Sequence, residues 1–344
     1  MSLTVLTMSK TTESFAETTD ISSWNDVLSD TLRSMRISGS LLLRDQYAPP
    51  WAVAIPDANK LGELLNIKKD VRVVAFHLVE RGHCEITLQC GNKVIVEAGE
   101  MVICFGGSSH LISQGSIQQS VPVEELMAGG DNVFRPDKNN LARSTSIMCG
   151  IFMLHDTHLN PLFAGLPPLL HASVSRVSRI HNLSGVAHLM SQEIERQSFG
   201  GGFVVERLLE VLCAEVVRSH FETISPKDAS WFNGIKDPIV GRAIKMIHMQ
   251  PGEKWTVERL ARGVAISPSR FTARFTAAIG DSPMAYVTKW RMNVASRLLN
   301  GTQQGIGQVA THVGYENLAA FNRAFKKHTG MPPAAWRHAK SLAH

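Results

Sequence analysis

Residues 306–337, IGQVATHVGYENLAAFNRAFKKHTGMPPAAWR, read as a helix, a tight turn and a second helix. Ala310 is the small residue a close helix crossing needs, and Gly314 supplies the positive φ of the turn. Asn317 can cap the next helix, where Phe321 and Phe325, spaced i, i+4, anchor one face in a core. Gly330 ends it. The same order of residue types stands in residues 256–280, TVERLARGVAISPSRFTARFTAAIG. Ala261 precedes Ala310 by 49 positions, while Phe275, Gly280, Pro283 and Tyr286 precede Phe325, Gly330, Pro333 and Trp336 by 50. A period near fifty means two copies of one supersecondary unit. Between them, residues 283–300, PMAYVTKWRMNVASRLLN, read as a connecting helix and rigid spacer.

Charge separates this part from the rest. Residues 237–344 carry 15 Lys/Arg and 5 Asp/Glu, a net +10, against −5 for the preceding 236 residues. A basic final third behind an acidic front is the footprint of a nucleic-acid module joined to something else. Hydrophobic residues at 44 % and charged residues at 19 % exclude wholesale disorder. The five cysteines (Cys84, Cys90, Cys104, Cys149, Cys213) are odd in number and form no C-x-x-C pair, which predicts reduced thiols. With no run of about 18 apolar residues and no secretory signal at the start, the expectation is a cytoplasmic protein without a membrane segment.

Residues 255–261 and 266–292, and above all 309–337, resemble the DNA-binding domain of the AraC/XylS family of bacterial transcription regulators. The resemblance implies an all-α domain over 237–344, with two helix-turn-helix units whose second helices enter successive major grooves of double-stranded DNA. Carried over by position, it gives Ser269, Thr272 and Ala273 in the first recognition helix and Leu318, Ala319, Asn322 and Arg323 in the second. Small residues in the first helix leave base reading there to Arg270, Thr272 and Arg274, or to thymine methyl contacts. Arg323 suits guanine and Asn322 adenine. Lys326 and Lys327, like Lys289, Arg291 and Arg337, read as phosphate or solvent partners. Ala265 stands where the family usually has glycine. The family further implies a homodimer, a small-molecule effector, contact with RNA polymerase and, by its commoner habit, activation.

The front of the chain reads differently. Short β-branched runs (41–45, 51–56, 71–79, 84–90, 93–105, 146–154) separated by turn residues predict a β-barrel or sandwich over 36–165, after a flexible arm over 1–35. Residues 76–86, 98–112, 148–152 and 161–170 resemble the cupin-like sensor domains of one branch of the same family. Helices follow over 181–197 and 203–221, within a helical segment spanning 166–222, and residues 223–236 read as a linker. In the second helix Val204, Leu208, Val211 and Leu212 mark one apolar stripe, and Val205, Leu209 and Val217 widen it, so that it serves either packing on the β-domain or dimerisation. His77, His83, His110 and Cys149 are candidate metal ligands, and His77 and His110 candidate ligand-binding residues. The sequence specifies no cofactor. No catalytic triad, phosphate loop or carboxylate pair stands out, so the expectation is a regulator; the alternative is a cupin-type metal-dependent enzyme carrying a DNA-binding tail.

Overall fold

A computed structural model describes residues 26–68, 71–116, 119–129, 132–155, 157–173, 181–224 and 231–341. Residues 36–173 build two five-stranded sheets. One has the order β1-β9-β3-β6-β10, from Arg36–Tyr47, Thr145–His155, Arg72–Arg81, Glu100–Cys104 and Leu170–Ser173. The other runs β5-β4-β7-β2-β8, from Lys93–Glu97, His83–Leu88, His110–Gln114, Trp51–Ile55 and Val121–Pro122. Every pairing is antiparallel except β2 with β8.

The first sheet is buried on both faces, and strand alternation sorts its residues between two cores. Val73, Ala75, Val79, Val102, Ile147 and Ile151 point inward and meet Val53, Ile55, Ile86 and Ile112 of the facing sheet. Their neighbours Val74, Phe76, Leu78, Met101, Ile103, Met148 and Phe152 point outward into a second core. Phe76 and Phe152 stack there at 4.7 Å between ring centres. Gly150 is the register partner of Phe76, and a Cβ on it would lie 2.6 Å from the Phe76 ring.

Two helices cover this outer face, α5 (His181–Arg196) and α6 (Gly201–Thr223). The buried stripe of α6 is Val205, Leu209, Leu212, Cys213, Val216 and Val217. Val204 and Val211 of the expected stripe instead face outward, with Phe203. Gly39 of β1 admits α6 closely, because any Cβ there would meet the Leu209 side chain at 2.5 Å. A polar tie adds to this packing: Arg44 of β1 donates two hydrogen bonds to Glu80 (3.0 and 2.8 Å) and one to Glu195 of α5 (2.9 Å).

The outer core runs on without a break into the C-terminal helices. These are α7 (Trp231–Lys236), α8 (Val240–Met249), α9 (Val257–Gly263), α10 (Pro268–Ile279), α11 (Pro283–Gly301), α12 (Ile306–His312), α13 (Leu318–Thr329) and α14 (Pro333–Ser341). At the junction sits α1 (Val27–Ser34), whose Val27 and Leu28 are buried and which packs on α8 and α11. Asn160 donates to Thr31 O (3.1 Å) and Ser34 Oγ (2.8 Å), holding α1 against the sensor domain as well.

Two expected boundaries are corrected here. Residues 1–25 of the expected arm lie outside the described residues, but 27–34 form a buried helix. Within the expected linker, 225–230 lie outside the described residues, while α7 buries Trp231 and Phe232 completely enough to join the core. Gly234, a turn signal in the sequence, is where α7 passes against Ile279 of α10 with no room for a Cβ.

Candidate nucleic-acid interface

Each helix-turn-helix unit is built from the same local devices. Thr256 caps α9 by accepting from the Arg259 amide (3.1 Å), and Asn317 caps α13 by accepting from the Ala320 amide (3.0 Å). Ser267 occupies the corresponding cap position of α10 but makes no capping bond; Pro268 at the helix start fixes the backbone there instead. Ala261 and Ala310 lie buried at the crossings, and Phe271, Phe275, Phe321 and Phe325 are fully buried. Truncating any one of these rings to alanine removes burial worth about 3–5 kcal/mol. Gly280 and Gly330 end α10 and α13 in the left-handed conformation.

The two turns differ in cost. Gly314 takes φ 82° at no penalty, and a Cβ on it would press on Gly252 O (2.6 Å) and the Arg291 guanidinium (2.8 Å). Ala265 takes φ 58°, a left-handed conformation that costs an alanine about 1–2 kcal/mol.

Ser269, Arg270 and Ala273 are exposed on α10 and Thr272 is half-buried, its hydroxyl donating to Pro268 O (2.9 Å). On α13, Leu318 (47 % exposed), Ala319, Asn322 and Arg323 form one exposed face, with Lys326 and Lys327 further along. Arg323, Arg270, Lys326 and Lys327 have no ion-pair partner among the described residues. Arg274 does: its guanidinium grips Asp237 at 2.8–3.2 Å, tying α10 to the start of α8. That pairing corrects Arg274 from a base reader to a brace. Arg291 is likewise structural, donating to Pro251 O and Glu253 O (2.8 Å each) beneath Tyr315. Lys289 pairs with Asp281 (2.6 Å), and Arg337 donates to Gln304 O (2.6 Å).

In the front domain, His77 and His110 are buried between the sheets, and Cys149 lies beside His77. The void next to Cys149 measures about 10 Å³, too small for an organic molecule. Neither His77 nor His110 lines this void; they are 1 % and 6 % exposed. His83 is exposed at the start of β4 and leaves the candidate set. Cys104, which sequence reasoning passed over, joins it.

The large cavity lies elsewhere, between the sensor and DNA-binding domains. It holds about 710 Å³ and is lined by Arg72, Phe105, Asn160 and Phe163 on one side and Trp231, Tyr286, Lys289 and Trp290 on the other. Arg72 donates to Phe105 O (2.6 Å) and lies over the Phe163 ring. On the far wall, the Trp231 indole donates to the Tyr286 hydroxyl (3.0 Å), which also meets His248 Nε2 (2.9 Å). His248 stacks on Trp290 at 3.5 Å, and burial depresses its pKa to about 3, so it is neutral. Among the described residues, the Trp290 indole N–H has no hydrogen-bond partner.

A two-sheet cupin-type sandwich fused to tandem helix-turn-helix units defines a two-part, DNA-binding protein. Residues 26–222 match the cupin family model and residues 260–339 a helix-turn-helix domain, and the chain belongs to the cupin-bearing AraC-type transcription regulators. It is similar to the HTH-type transcriptional regulator AlkR of Acinetobacter baylyi, at 29 % identity over 76 % of this chain and 86 % of that protein. Another relative is the RCS-specific HTH-type transcriptional activator RclR of Escherichia coli, 25 % identical over 66 % of this chain and 83 % of that one. Among solved structures, the DNA-binding domain of AdpA in complex with a target DNA is 27 % identical, covering 31 % of this chain and 96 % of that chain at a TM-score of 0.30. The helix-turn-helix match and the relatives named transcription regulators favour a DNA-binding regulator over the alternative of a cupin-type enzyme.

The turn geometry sets one expectation. Gly314→Ala lowers stability by about 1–3 kcal/mol in urea unfolding, whereas Ala265→Gly leaves stability equal or higher. Equal destabilisation by both changes would contradict the assigned strain.

Proposed function

We propose that this protein is a cytoplasmic, sequence-specific activator whose DNA affinity is set by a small molecule bound between its two domains. The observation that carries this is the cavity of about 710 Å³, walled by residues of both domains. A ligand there touches the sensor and the DNA-binding module at once, so its binding energy depends on how the two are disposed. The lining favours an amphipathic acid: aromatic rings for its body and Arg72 for its anionic end, while Lys289 is paired with Asp281, which also lines the cavity. Activation is the direction given by the name of the E. coli relative, with RNA polymerase as the downstream contact. The absence of any described helix long and apolar enough to cross a membrane agrees with a cytoplasmic site of action.

On DNA, Arg323 and Asn322 supply base reading from α13, with Leu318 and Ala319 set for thymine methyl contact; Ser269, Arg270, Thr272 and Ala273 face the groove from α10. Lys326 and Lys327 position the protein on phosphates. Dimerisation uses the outward face of the sensor's helices, where Phe203 and Val211 are 65 % and 46 % exposed and Phe199 and Leu189 lie exposed nearby. Such a run of apolar side chains on one side of an already packed helix pair suits a second copy related by a two-fold axis.

Three measurements test these readings. Arg323→Ala should cost about 1–3 kcal/mol on the operator and relax specificity at one base pair, while Lys327→Ala weakens operator and random duplex alike; equal losses on both DNAs in the Arg323 variant would sink the base-reading role. Aromatic and aliphatic carboxylates should shift operator affinity about tenfold or more, a coupling of about 1.4 kcal/mol, and Arg72→Gln should abolish the shift. Compounds that occupy the cavity without changing operator affinity would overturn the coupling. In sedimentation, Phe203→Glu with Val211→Glu should convert a dimer into a folded monomer, and an unchanged dimer would place the interface elsewhere.

A further inference from the structure

The interior of the sandwich holds one cluster of nitrogen and sulfur donors among its apolar side chains. Inner-face positions alternate along each strand, and they are Val73, Ala75, His77 and Val79 on β3, Val102 and Cys104 on β6, and Ile147, Cys149 and Ile151 on β9. Cys149 is the register partner of His77, and Cys104 that of Ala75, one inner position along the strand. From the facing sheet His110, at the first position of β7, reaches across to the same spot. His77, Cys104 and His110 are 1 %, 3 % and 6 % exposed. Three polarisable donors converging in a hydrocarbon interior call for a physical reason, because each polar atom placed there without a partner costs free energy.

The hydrogen bonds fix where the lone pairs point. His110 Nδ1 lies 3.2 Å from Ser108 O, and a carbonyl only accepts, so Nδ1 carries the proton and Nε2 presents its lone pair. That Nε2 therefore accepts from His77 Nε2–H at 2.7 Å and lies 3.7 Å from Cys104 Sγ; for His77 Nε2 to ligate an ion, this proton must move to His77 Nδ1. On the other edge of its ring, His77 Nδ1 lies 3.0 Å from Cys149 Sγ. Both imidazoles thus have their second nitrogen anchored, by a backbone carbonyl in one case and a cysteine sulfur in the other. This is how proteins orient histidines that bind metals. Burial holds both rings in the neutral, ligating form.

We propose that His77 Nε2, His110 Nε2 and Cys104 Sγ form a binding site for one thiophilic transition-metal ion, with Cys149 orienting His77. Two nitrogens and a sulfur select borderline or soft ions such as Zn(II), Cu(I) or Fe(II) and reject calcium and magnesium, which take oxygen. Ligands placed tetrahedrally around zinc stand about 3.3 Å apart for two nitrogens and about 3.6 Å for nitrogen and sulfur. The His110 Nε2–Cys104 Sγ separation of 3.7 Å is already near that value, and the two imidazoles open by about half an ångström to admit the ion. Cys104 ligates as thiolate, so the thiol gives its proton to solvent when the ion binds and uptake releases one proton per ion. Because His77 and Cys104 belong to one sheet and His110 to the other, the ion pins the two sheets together. The site is separate from the interdomain cavity, and its existence is independent of the effector reading.

The full-length protein, stripped with a chelator, is titrated with Co(II) and then Zn(II). One Co(II) per chain is expected, with a thiolate-to-cobalt charge-transfer band, displacement by Zn(II) and release of one proton. Cys104→Ala removes the charge-transfer band; Cys149→Ala weakens affinity about 10–100-fold while keeping that band; His83→Ala changes nothing. The wild-type spectrum decides by itself if a variant does not fold. No stoichiometric uptake, or bound cobalt lacking a thiolate band, overturns the assignment. Survival of the band in a folded Cys104→Ala chain overturns it equally.

Discussion

Burial of both faces of the sheet β1-β9-β3-β6-β10 is the constraint on which the rest of this molecule depends. A strand shows alternate side chains to opposite sides, so β3 sends Val73, Ala75, His77 and Val79 one way and Val74, Phe76 and Leu78 the other. One side closes the sandwich. The other is roofed by α6 and continues into the core of the DNA-binding helices. A slip of one residue in β3 or β9 would exchange the two sets, placing His77 and Cys149 under α6 and Phe76 between the sheets. Gly39 and Gly150 enforce the arrangement from outside, the first by admitting Leu209 and the second by leaving room for the Phe76 ring.

The two helix-turn-helix units share a plan and diverge in their charges. In the second, the cations of α13 stay exposed, while in the first Arg274 is spent on Asp237 and the turn carries a left-handed alanine. Arg291 belongs to neither surface: it fastens the segment at Pro251–Glu253 to the connecting helix, under the aromatic face of Tyr315. Among the described residues of the two units, the exposed cations without an ion pair are Arg323, Lys326 and Lys327 on α13, and Arg262 and Arg270 in the first unit.

Much of this was legible in the sequence where spacing alone determines structure. The paired phenylalanines, the glycines ending α10 and α13, and the fifty-residue period specify helices and crossings without reference to distant residues. What escaped depends on tertiary neighbours. α1 lay hidden in a Ser/Thr-rich start because its helix is held by contacts with α8, α11 and Asn160 rather than by a strong apolar stripe of its own. α7 was masked by Gly234, which signals a turn in sequence but a close crossing in space. On α6 the apolar residues run around most of the helix, so periodicity could not say which side meets the sheet. Cys104 needed the register of β6 on β3 before its meeting with His77 and His110 became visible, and His83, one strand position outside the sandwich, looked equally eligible until then. Arg274 and Arg291 read as free cations because their partners, Asp237 and two backbone carbonyls, lie about 40 residues away.

The position of α1 has a consequence for how the chain comes into being. Domains emerging from the ribosome generally fold as units, N-terminal first. Here the helix Val27–Ser34 is made before the sensor, yet it rests on α8 and α11, which are synthesised more than 200 residues later. Asn160 can already tether α1 to the folded sandwich, but the contacts with α8 and α11 wait until those helices have been made, so an early helix completes its packing late.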